Sequence, residues 1–534
     1  MQPALRTKVL LVGIYDNNTA ALAPEVLRAY AERFPVSGAF ELATVNLSIF
    51  SQSLDEMAER LRSEQAAIVA FSTYIWNYAQ VLELTRRVSG TIILGGPQCN
   101  HLDQGFFRDH PEVDIVVSGE GEETFVELLE YFSGQRDLSD VRGIVTRSGA
   151  TPPRQVLADL DAVPSPYPRI FGDHPAIEWI AYETSRGCPY LCGFCTWGYS
   201  KRMRYHGLER VFADLDFLLS QPSLCRIYLC DSSLLLDKPR AKAILRHIVD
   251  KRRDVVLRYE FNAEQLDDEI VELLLELPEN EFNFGVQTIT PLALKTMRRP
   301  FRRKKFEENF AKLARRSDRT SITMDVIYGL PGDDLEGFRN TFEYVLGFPE
   351  VKWILTNPLI LLPGADFYRD RERHGIVLKD EISYVVEATA TFPREQMLLA
   401  RRLAFEVSVV FFNRRLREAV ARLARDRGAR QIDTIEWLFR NLPFPLIDAE
   451  EYPYLVPSVA ADFVARNRAV FGVANRYGEI IEAFDALTGR AYADLLRDFR
   501  DHYSVQHQRL WRFAAEDAKL HGWASGAAAD VAAE

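Results

Sequence analysis

Cysteine is scarce in this chain: six in 534 residues, at Cys99, Cys188, Cys192, Cys195, Cys225 and Cys230. So few in so long a chain excludes a disulfide scaffold. Basic charge is in deficit. Lys and Arg number 65 against 76 Asp and Glu, a formal net charge of −11. That argues against nonspecific DNA or RNA binding, because phosphate neutralisation needs a basic face. Long apolar runs are missing too. The runs present, such as that near 407–412, fall far short of the roughly 20 residues that cross a bilayer. The N-terminus offers Val9-Leu10-Leu11-Val12-Gly13-Ile14-Tyr15 with no cleavage site. It reads as a buried first strand and not as a secretory signal, so no membrane span and a cytoplasmic location are expected. Histidine is absent from the first 100 residues.

What is present begins with an alternation. Apolar, β-rich runs at 8–13, 41–47, 66–72, 91–94 and 114–117 are separated by helical patterns at about 20–33, 54–64, 77–88 and 103–109, with another at 121–132. This order predicts an α/β unit, a parallel sheet covered by helices on both faces. Ligands of such sheets bind at the carboxyl ends of the strands. Those ends carry Asn17 and Asn18, then Ser72, Thr73, Tyr74, Trp76 and Asn77, then Gly95, Gly96, Pro97 and Gln98, then Gly119, Glu120 and Gly121. The glycines let a backbone approach a ligand closely, and the aromatic second loop suits a large flat partner. A stretch with Pro152, Pro153, Pro164, Pro166 and Pro168 reads as a semi-rigid linker.

Three cysteines fall within eight residues, in Cys188-Pro189-Tyr190-Leu191-Cys192-Gly193-Phe194-Cys195. Three thiolates on one short loop can hold three irons of a cubane iron–sulfur cluster. Gly187, Pro189 and Gly193 let the loop wrap. No fourth cysteine lies close in sequence, which leaves one iron open to a substrate-like ligand. Structural zinc would bring a second Cys or His pair at short spacing, and only His206 stands nearby, alone.

This loop resembles that of the radical S-adenosylmethionine superfamily. The resemblance implies that Cys188, Cys192 and Cys195 ligate a [4Fe-4S] cluster whose open iron chelates S-adenosylmethionine, which an electron then cleaves to methionine and a 5′-deoxyadenosyl radical. Phe194 matches the aromatic usual between the last two cysteines. Strand-like runs recur at about 179–184, 226–230, 256–261, 281–287, 321–328 and 353–359. Six such β/α units suit a partial (β/α)6 barrel, shaped like part of a TIM barrel, with its site at the strands' carboxyl ends. The family has this barrel. By motif position, Ser232, Glu260, Gln287 and Tyr328 are carried over with Phe194 as S-adenosylmethionine contacts.

A flavodoxin- or Rossmann-like domain ahead of that barrel resembles the cobalamin-dependent branch of the family. The resemblance makes residues 1–140 a cobalamin-binding domain, 141–178 a Pro-rich linker, 179–385 the radical barrel and 386–534 a helical C-terminal domain. Many cobalamin domains place D-x-H-x-x-G after the first strand. Here the same place reads Asp16-Asn17-Asn18-Thr19-Ala20-Ala21, so no histidine of that loop ligates cobalt. Tyr74 and Trp76 are the candidates to cover the lower face of the corrin. In the C-terminal part, helices are expected at 395–424 and 477–502 and disorder at 524–534. Its aromatics Trp437, Tyr452, Tyr454, Phe463, Trp511 and Trp523 belong to a core, with some capping the barrel mouth.

The resemblance implies a methyltransferase that carries methyl from S-adenosylmethionine through cobalamin to an unactivated carbon of a small molecule. It also implies an electron donor such as flavodoxin or ferredoxin, and no nucleic acid partner. The same branch contains enzymes that form rings or oxidise without methyl transfer, including an anaerobic tetrapyrrole cyclase, and no residue separates the two. Methylthiotransferases share the cysteine loop but usually carry three more cysteines in the N-terminal domain, where this chain has only Cys99. A cluster-bearing sensor would not require the polar strand ends.

Overall fold

The computed structural model describes residues 6–15, 19–49, 51–251, 254–277, 280–315, 320–412, 414–442, 480, 483–484 and 486–488. The first sheet is built from β1 (Thr7–Tyr15), β2 (Phe40–Ser48), β3 (Ile68–Ser72), β4 (Thr91–Gly95), β5 (Ile115–Val117), β6 (Ile144–Thr146) and β7 (Gly149–Ala150). Its order is β2-β1-β3-β4-β5-β6-β7. The first five strands run parallel. Between them lie α1 (Leu22–Ala31), α2 (Leu54–Ser63), α3 (Tyr78–Thr85), α4 (Phe106–Asp109) and α5 (Glu122–Phe132). Successive side chains of β1 point to opposite faces. Val9 and Leu11 join one core with Val26 of α1 and Phe125 of α5. Leu10, Val12 and Ile14 join another with Met57 of α2 and Val81 of α3. The order 2-1-3-4-5 changes direction between β1 and β3, which makes their carboxyl ends the binding crevice of the sheet.

The segment read as a linker is more structured than its prolines suggest. β6 and β7 extend the first sheet as antiparallel strands. Leu157, Leu160 and Val163 are buried in the first domain's core. The helix α6 (Tyr167–Asp173) buries Tyr167, Ile170 and Phe171 in the core of the second sheet. Apolar residues spaced among the prolines pin the segment to both bodies.

The second sheet has the strands β8 (Trp179–Tyr182), β11 (Arg226–Leu229), β12 (Val256–Glu260), β13 (Asn280–Gln287), β14 (Thr320–Tyr328) and β15 (Val351–Pro358). They are all parallel and stand in sequential order. β8 and β15 form its two edges, so the barrel is partial, as the six runs predicted. Between β8 and β11 sits a short hairpin of β9 (Ser185–Arg186) and β10 (Arg204–Tyr205). One set of alternating side chains, including Ile227, Leu257, Tyr259, Phe282, Phe284 and Val326, packs toward the helices. The opposite set lines the concave face with Tyr228, Arg258, Glu260, Asn283 and Asp325.

Beyond the barrel, α14 (Arg394–Phe412), α15 (Arg414–Arg427) and α16 (Gln431–Asn441) follow a two-strand hairpin of Val377–Leu378 and Val386–Ala388. Ala400, Leu403, Leu416, Ile435 and Leu438 belong to the barrel's own core. Arg339 of the crossover helix α12 (Leu335–Leu346) pairs with Asp433 at 2.5 Å and with Glu436. Trp437 packs against this core with the Arg427 guanidinium 4.1 Å from its ring centroid. The helix expected at 477–502, the tail at 524–534, and Tyr452, Tyr454, Phe463, Trp511 and Trp523 lie outside the described residues, apart from the few positions at 480–488. Among the described residues no helix is long and apolar enough to cross a membrane.

Candidate active site

The hairpin β9–β10 pairs Arg186 with Arg204, and the loop it closes carries Cys188, Cys192 and Cys195. Gly187 opens the loop at φ +101°, and a Cβ there would lie 2.5 Å from the Arg202 carbonyl oxygen. Only glycine lets the two arms approach so closely. The Cys188 N–H donates to the Ser200 carbonyl at 3.0 Å. Gly193 is held from both sides: its N–H donates to Met297 O, and its carbonyl accepts from Phe367 N, both at 2.9 Å. Cys195 N–H donates to Cys192 O at 3.0 Å, so the last two cysteines share one turn. Cys188 is buried and the other two are half-buried. Burial and the neighbouring Cys192 and Cys188 push the Cys195 thiol up to about 11. A thiol in that environment becomes a thiolate when a metal replaces its proton.

Arg299 donates from Nη1 to Cys192 Sγ at 3.7 Å, with Nη2 fixed on Gly285 O at 2.8 Å. Among the described residues no three His, Cys, Asp or Glu side chains converge as ligands of a single ion. A cubane asks for no such convergence, because each thiolate takes a different iron. The loop therefore fits a cluster better than a zinc ion. Cys99 is buried in the first domain, Cys225 is exposed, and Cys230, just past β11, points its Sγ at Tyr182 O at 3.4 Å.

The concave face beside this loop is polar. Tyr228 donates to Glu260 at 2.6 Å, with the Arg258 guanidinium 5.1 Å from the Tyr228 ring centroid. Asn283 Nδ2 donates to Asp325 Oδ2 at 2.9 Å. Gln287 ends β13 at φ +63°, just after a register shift against β14. Three buried oxygens here have no partner: Asn283 Oδ1, Gln287 Oε1 and Asp325 Oδ1. Buried polar atoms without partners on a concave face mark the place of a polar ligand. As acceptors they fit the amino group and the ribose hydroxyls of S-adenosylmethionine. Burial, then the charge of Glu260, pushes the Asp325 carboxyl up to about 7.

The other carried-over residues take different places. Ser232 donates from Oγ to Gly187 O at 2.7 Å and so holds the cysteine loop. Phe194 packs against the barrel core. Tyr328 is a correction: it lies on the helix-facing side of β14, 5.4 Å from Phe338, because it has the same parity along the strand as Met324 and Val326. Asp325 has the opposite parity and faces the concave side. Sequence reasoning did not select Arg258, Asn283, Arg299 or Asp325. The period-2 pattern of β12 to β14 was the signal available for three of them; Arg299 stands outside any strand.

At the carboxyl edge of the first sheet, Tyr74 and Trp76 stack with ring centroids 4.4 Å apart and planes 10° from parallel. Tyr15, the last residue of β1, meets Trp76 at 5.9 Å and Trp179 of β8 at 5.5 Å. The aromatic group thus sits at the β1/β3 crevice and touches the second sheet. The Tyr74 hydroxyl lies within electrostatic reach of Cys230, Glu183 and Arg186, all at the barrel's carboxyl side. Thr73 is buried, its N–H donating to Gly95 O at 2.7 Å. Asn77 braces the loop, donating to Ile14 O and Ser72 O and accepting from Tyr74 N. Gly96 adopts φ +112°, where a Cβ would lie 2.5 Å from Thr73 O.

Pro97 is exposed, and its neighbour Gln98 is buried. Gly119, at φ +90°, donates to Asn100 Oδ1 at 2.7 Å, and Gly121 packs on Leu27. Trp76 Nε1 and Gln98 Nε2 are buried donors without partners. A flat aromatic platform with such donors at its rim fits a corrin ring and its amide side chains. Glu120 does not point at that place. Its carboxylate is taken by Arg204, Tyr199 and the Leu157 N–H. Asn17 and Asn18 lie outside the described residues.

Comparison with known proteins agrees with both halves. The radical SAM superfamily model matches residues 182–345, and the B12 binding domain model matches residues 35–129. The chain is 27% identical over 393 residues, 68% of its length, to 2-(S-pantetheinyl)-carbapenam-3-carboxylate methyltransferase of Streptantibioticus cattleyicolor. It spans 57% of that relative's length. It is 21% identical over 393 residues to the anaerobic magnesium-protoporphyrin IX monomethyl ester cyclase of Rubrivivax gelatinosus, covering 67% of this chain and 68% of the relative. A solved structure of the cobalamin-dependent S-adenosylmethionine radical enzyme OxsB, with aqua-cobalamin and S-adenosylmethionine bound, superposes with a TM-score of 0.61. The match has 15% identity and covers 93% of this chain and 84% of that one.

Proposed function

The chain belongs to the cobalamin-dependent radical S-adenosylmethionine enzymes, and from that premise we propose that it is a methyltransferase acting on an unactivated carbon of a small, natural-product-type molecule. Its cofactors are a [4Fe-4S] cluster, S-adenosylmethionine and cobalamin. When bound, they supply the electron, the radical and the methyl group of the reaction. The observation that supports the reading is that Tyr15, at the end of β1, meets Trp179 of β8 while Tyr74 lies within electrostatic reach of Glu183 and Cys230, just past the carboxyl ends of β8 and β11. A substrate held there would reach both cofactors.

The chain's own groups have distinct tasks. Cys188, Cys192 and Cys195 hold the cluster, and Arg299 donates to the sulfur of Cys192. Glu260, Asn283, Gln287 and Asp325 present oxygens to the polar groups of S-adenosylmethionine. Below a pH of about 7 the Asp325 carboxyl keeps its proton and can donate as well as accept. Tyr74 and Trp76 support the flat face of the corrin, and neither is a strong cobalt ligand. Tyr15, Tyr74, Trp76 and Trp179 form a run of aromatic rings from the first domain to the barrel. The electron comes from a donor such as flavodoxin or ferredoxin, which would approach the exposed Tyr190, Leu191 and Trp197 of the cysteine loop. The magnesium-protoporphyrin cyclase relative supports a second reading, the same cofactors used for ring formation or oxidation.

Anaerobic reconstitution tests the assignment. About four irons and one cobalamin per chain are expected, with release of 5′-deoxyadenosine under a strong reductant. Iron without cobalamin, with cobalamin in excess, overturns the reading of the first domain. Product mass then divides the two chemistries: a gain of CH2 marks methylation, and a loss of hydrogen marks cyclisation or oxidation.

A further inference from the structure

The two strands of the cysteine hairpin are gripped at their base by the first domain. Arg204 of β10 donates from Nη2 to Glu120 Oε1 at 2.6 Å and from Nη1 to Glu120 Oε2 at 2.9 Å, a two-pronged pair. The same Nη1 donates to Leu157 O at 2.6 Å. Tyr199, inside the loop, donates its hydroxyl to Glu120 at 3.0 Å. Opposite Arg204 in the hairpin register, Arg186 of β9 pairs with Glu122 at 2.7 Å and with Glu183 at 2.9 Å. Glu120 and Glu122 flank Gly121, where the fourth loop of the first sheet's edge enters α5. The four side chains that cross the boundary are between 5% and 12% exposed.

We propose that the Glu120–Arg204 and Glu122–Arg186 pairs are positioning residues that hold the cysteine hairpin against the edge of the first sheet and so set the separation of the cluster and cobalamin sites. The inference rests on the two-cofactor reading above. An apolar contact tolerates sliding and rotation, whereas a buried bidentate guanidinium–carboxylate pair has one geometry. Such a pair adds little net stability, because the charges lose their water, but it makes departure from register expensive. Here the register fixed is that of the arms carrying Gly187 and Cys188 relative to Gly119 and Gly121.

The full chain, loaded with both cofactors, tests this with Glu120→Gln, Arg204→Glu and the charge-swapped pair Glu120→Arg/Arg204→Glu. Pulsed dipolar electron paramagnetic resonance reads the distance between cob(II)alamin and the reduced cluster. The native chain should give one narrow distribution. Each single variant should keep native iron and cobalamin content while the distribution broadens or shifts, and the swapped pair should narrow it again. Native distributions in both single variants overturn the inference. Loss of cobalamin in Glu120→Gln with iron retained also overturns it, since Glu120 would then serve the cofactor itself. A chain that never takes up cobalamin refutes the two-cofactor reading, and the grip is then judged by hydrogen exchange on the unloaded protein. There Glu120→Gln should lower protection of residues 185–205 by roughly tenfold or more, in line with an unpaired buried charge, and leave the barrel helices unchanged. Unchanged protection at 185–205 overturns it. If Arg204→Glu does not fold, Tyr199→Phe, which removes one hydrogen bond from the same carboxylate, gives the same reading at smaller amplitude.

Discussion

Asp325 is a carboxyl group with one oxygen bonded to Asn283 and the other buried without a partner. Burial, then the nearby Glu260, raises its pKa from 3.8 to about 7. The folded chain therefore binds this proton more tightly than the unfolded chain. Between pH 3.8 and about 7 the unfolded state has released the proton and the folded state has not. Stability from this group falls as pH rises through that window and levels off above it. Asp325→Asn removes the proton and keeps the shape. The unloaded variant should gain on the native chain by up to about 1.4 kcal/mol per pH unit across the window. Denaturation midpoints of both proteins at pH 5 and pH 8 check this. A gap that does not widen toward pH 8 contradicts the raised pKa. The cysteines act at the same scale. The Cys195 thiol, pushed up by burial, waits on a metal to lose its proton, so iron loading should release protons.

At the scale of elements, the first sheet's edge depends on turns that side chains would block. Gly96 has φ +112° and ψ +176°, a region open almost only to glycine, where strain costs about 1–3 kcal/mol. A Cβ would also meet the Thr73 carbonyl. Gly96→Ala should displace the loop that carries Tyr74 and Trp76. Its expected signature is separable: cobalamin per chain falls several-fold, while iron stays at the native level because the cysteine hairpin is a different element. Parallel loss of iron and cobalamin would instead mean general unfolding. The hairpin has its own glycine at the same kind of position. Gly187 lets β9 and β10 close on the backbone of Arg202 and Ser200, and it brings Cys188 into line one residue later.

For the whole molecule, the C-terminal helices are part of the barrel. Leu438 of α16 is fully buried in the same core as the strands. Leu438→Ala should destabilise the barrel by about 2–5 kcal/mol, the range for a large-to-small change in a packed core. The measurement is chemical denaturation followed by a probe in the barrel and another in the first domain. Loss confined to the barrel probe is expected. An unchanged barrel midpoint would show that the helices fold apart from it. The reason for the attachment is visible at β15, an edge strand. Arg417 of α15 donates to the carbonyls of Val351 and Pro349 at 2.6 and 2.7 Å, and α14 packs alongside. Covering an edge strand in this way removes a site for pairing with another chain.

The sequence alone determined the parts of this protein that are local. Three cysteines on one short loop suit a cubane cluster, and the spacing of Cys188, Cys192 and Cys195 proposes one within eight residues. Alternating strands and helices favour parallel sheets, so both sheets and their carboxyl edges were legible in the sequence. The aromatic pair Tyr74 and Trp76 was legible for the same reason, since its place follows from the end of β3. Only the tertiary structure decided the rest. A period of two divides a strand into two faces but does not say which is concave, and so Tyr328 was chosen where Asp325 faces the site. Glu120 looked like a ligand of the sheet edge, yet its partner Arg204 lies 84 residues away. β6 and β7, three and two residues long, are too short to announce themselves, and β6 forms against the open edge of β5. The C-terminal helices read as a separate domain because amphipathic helices show an apolar face without showing what covers it. Turns and metal loops are written in neighbouring residues, whereas the facing of side chains and the pairing of distant charges are settled by what the folded chain brings together.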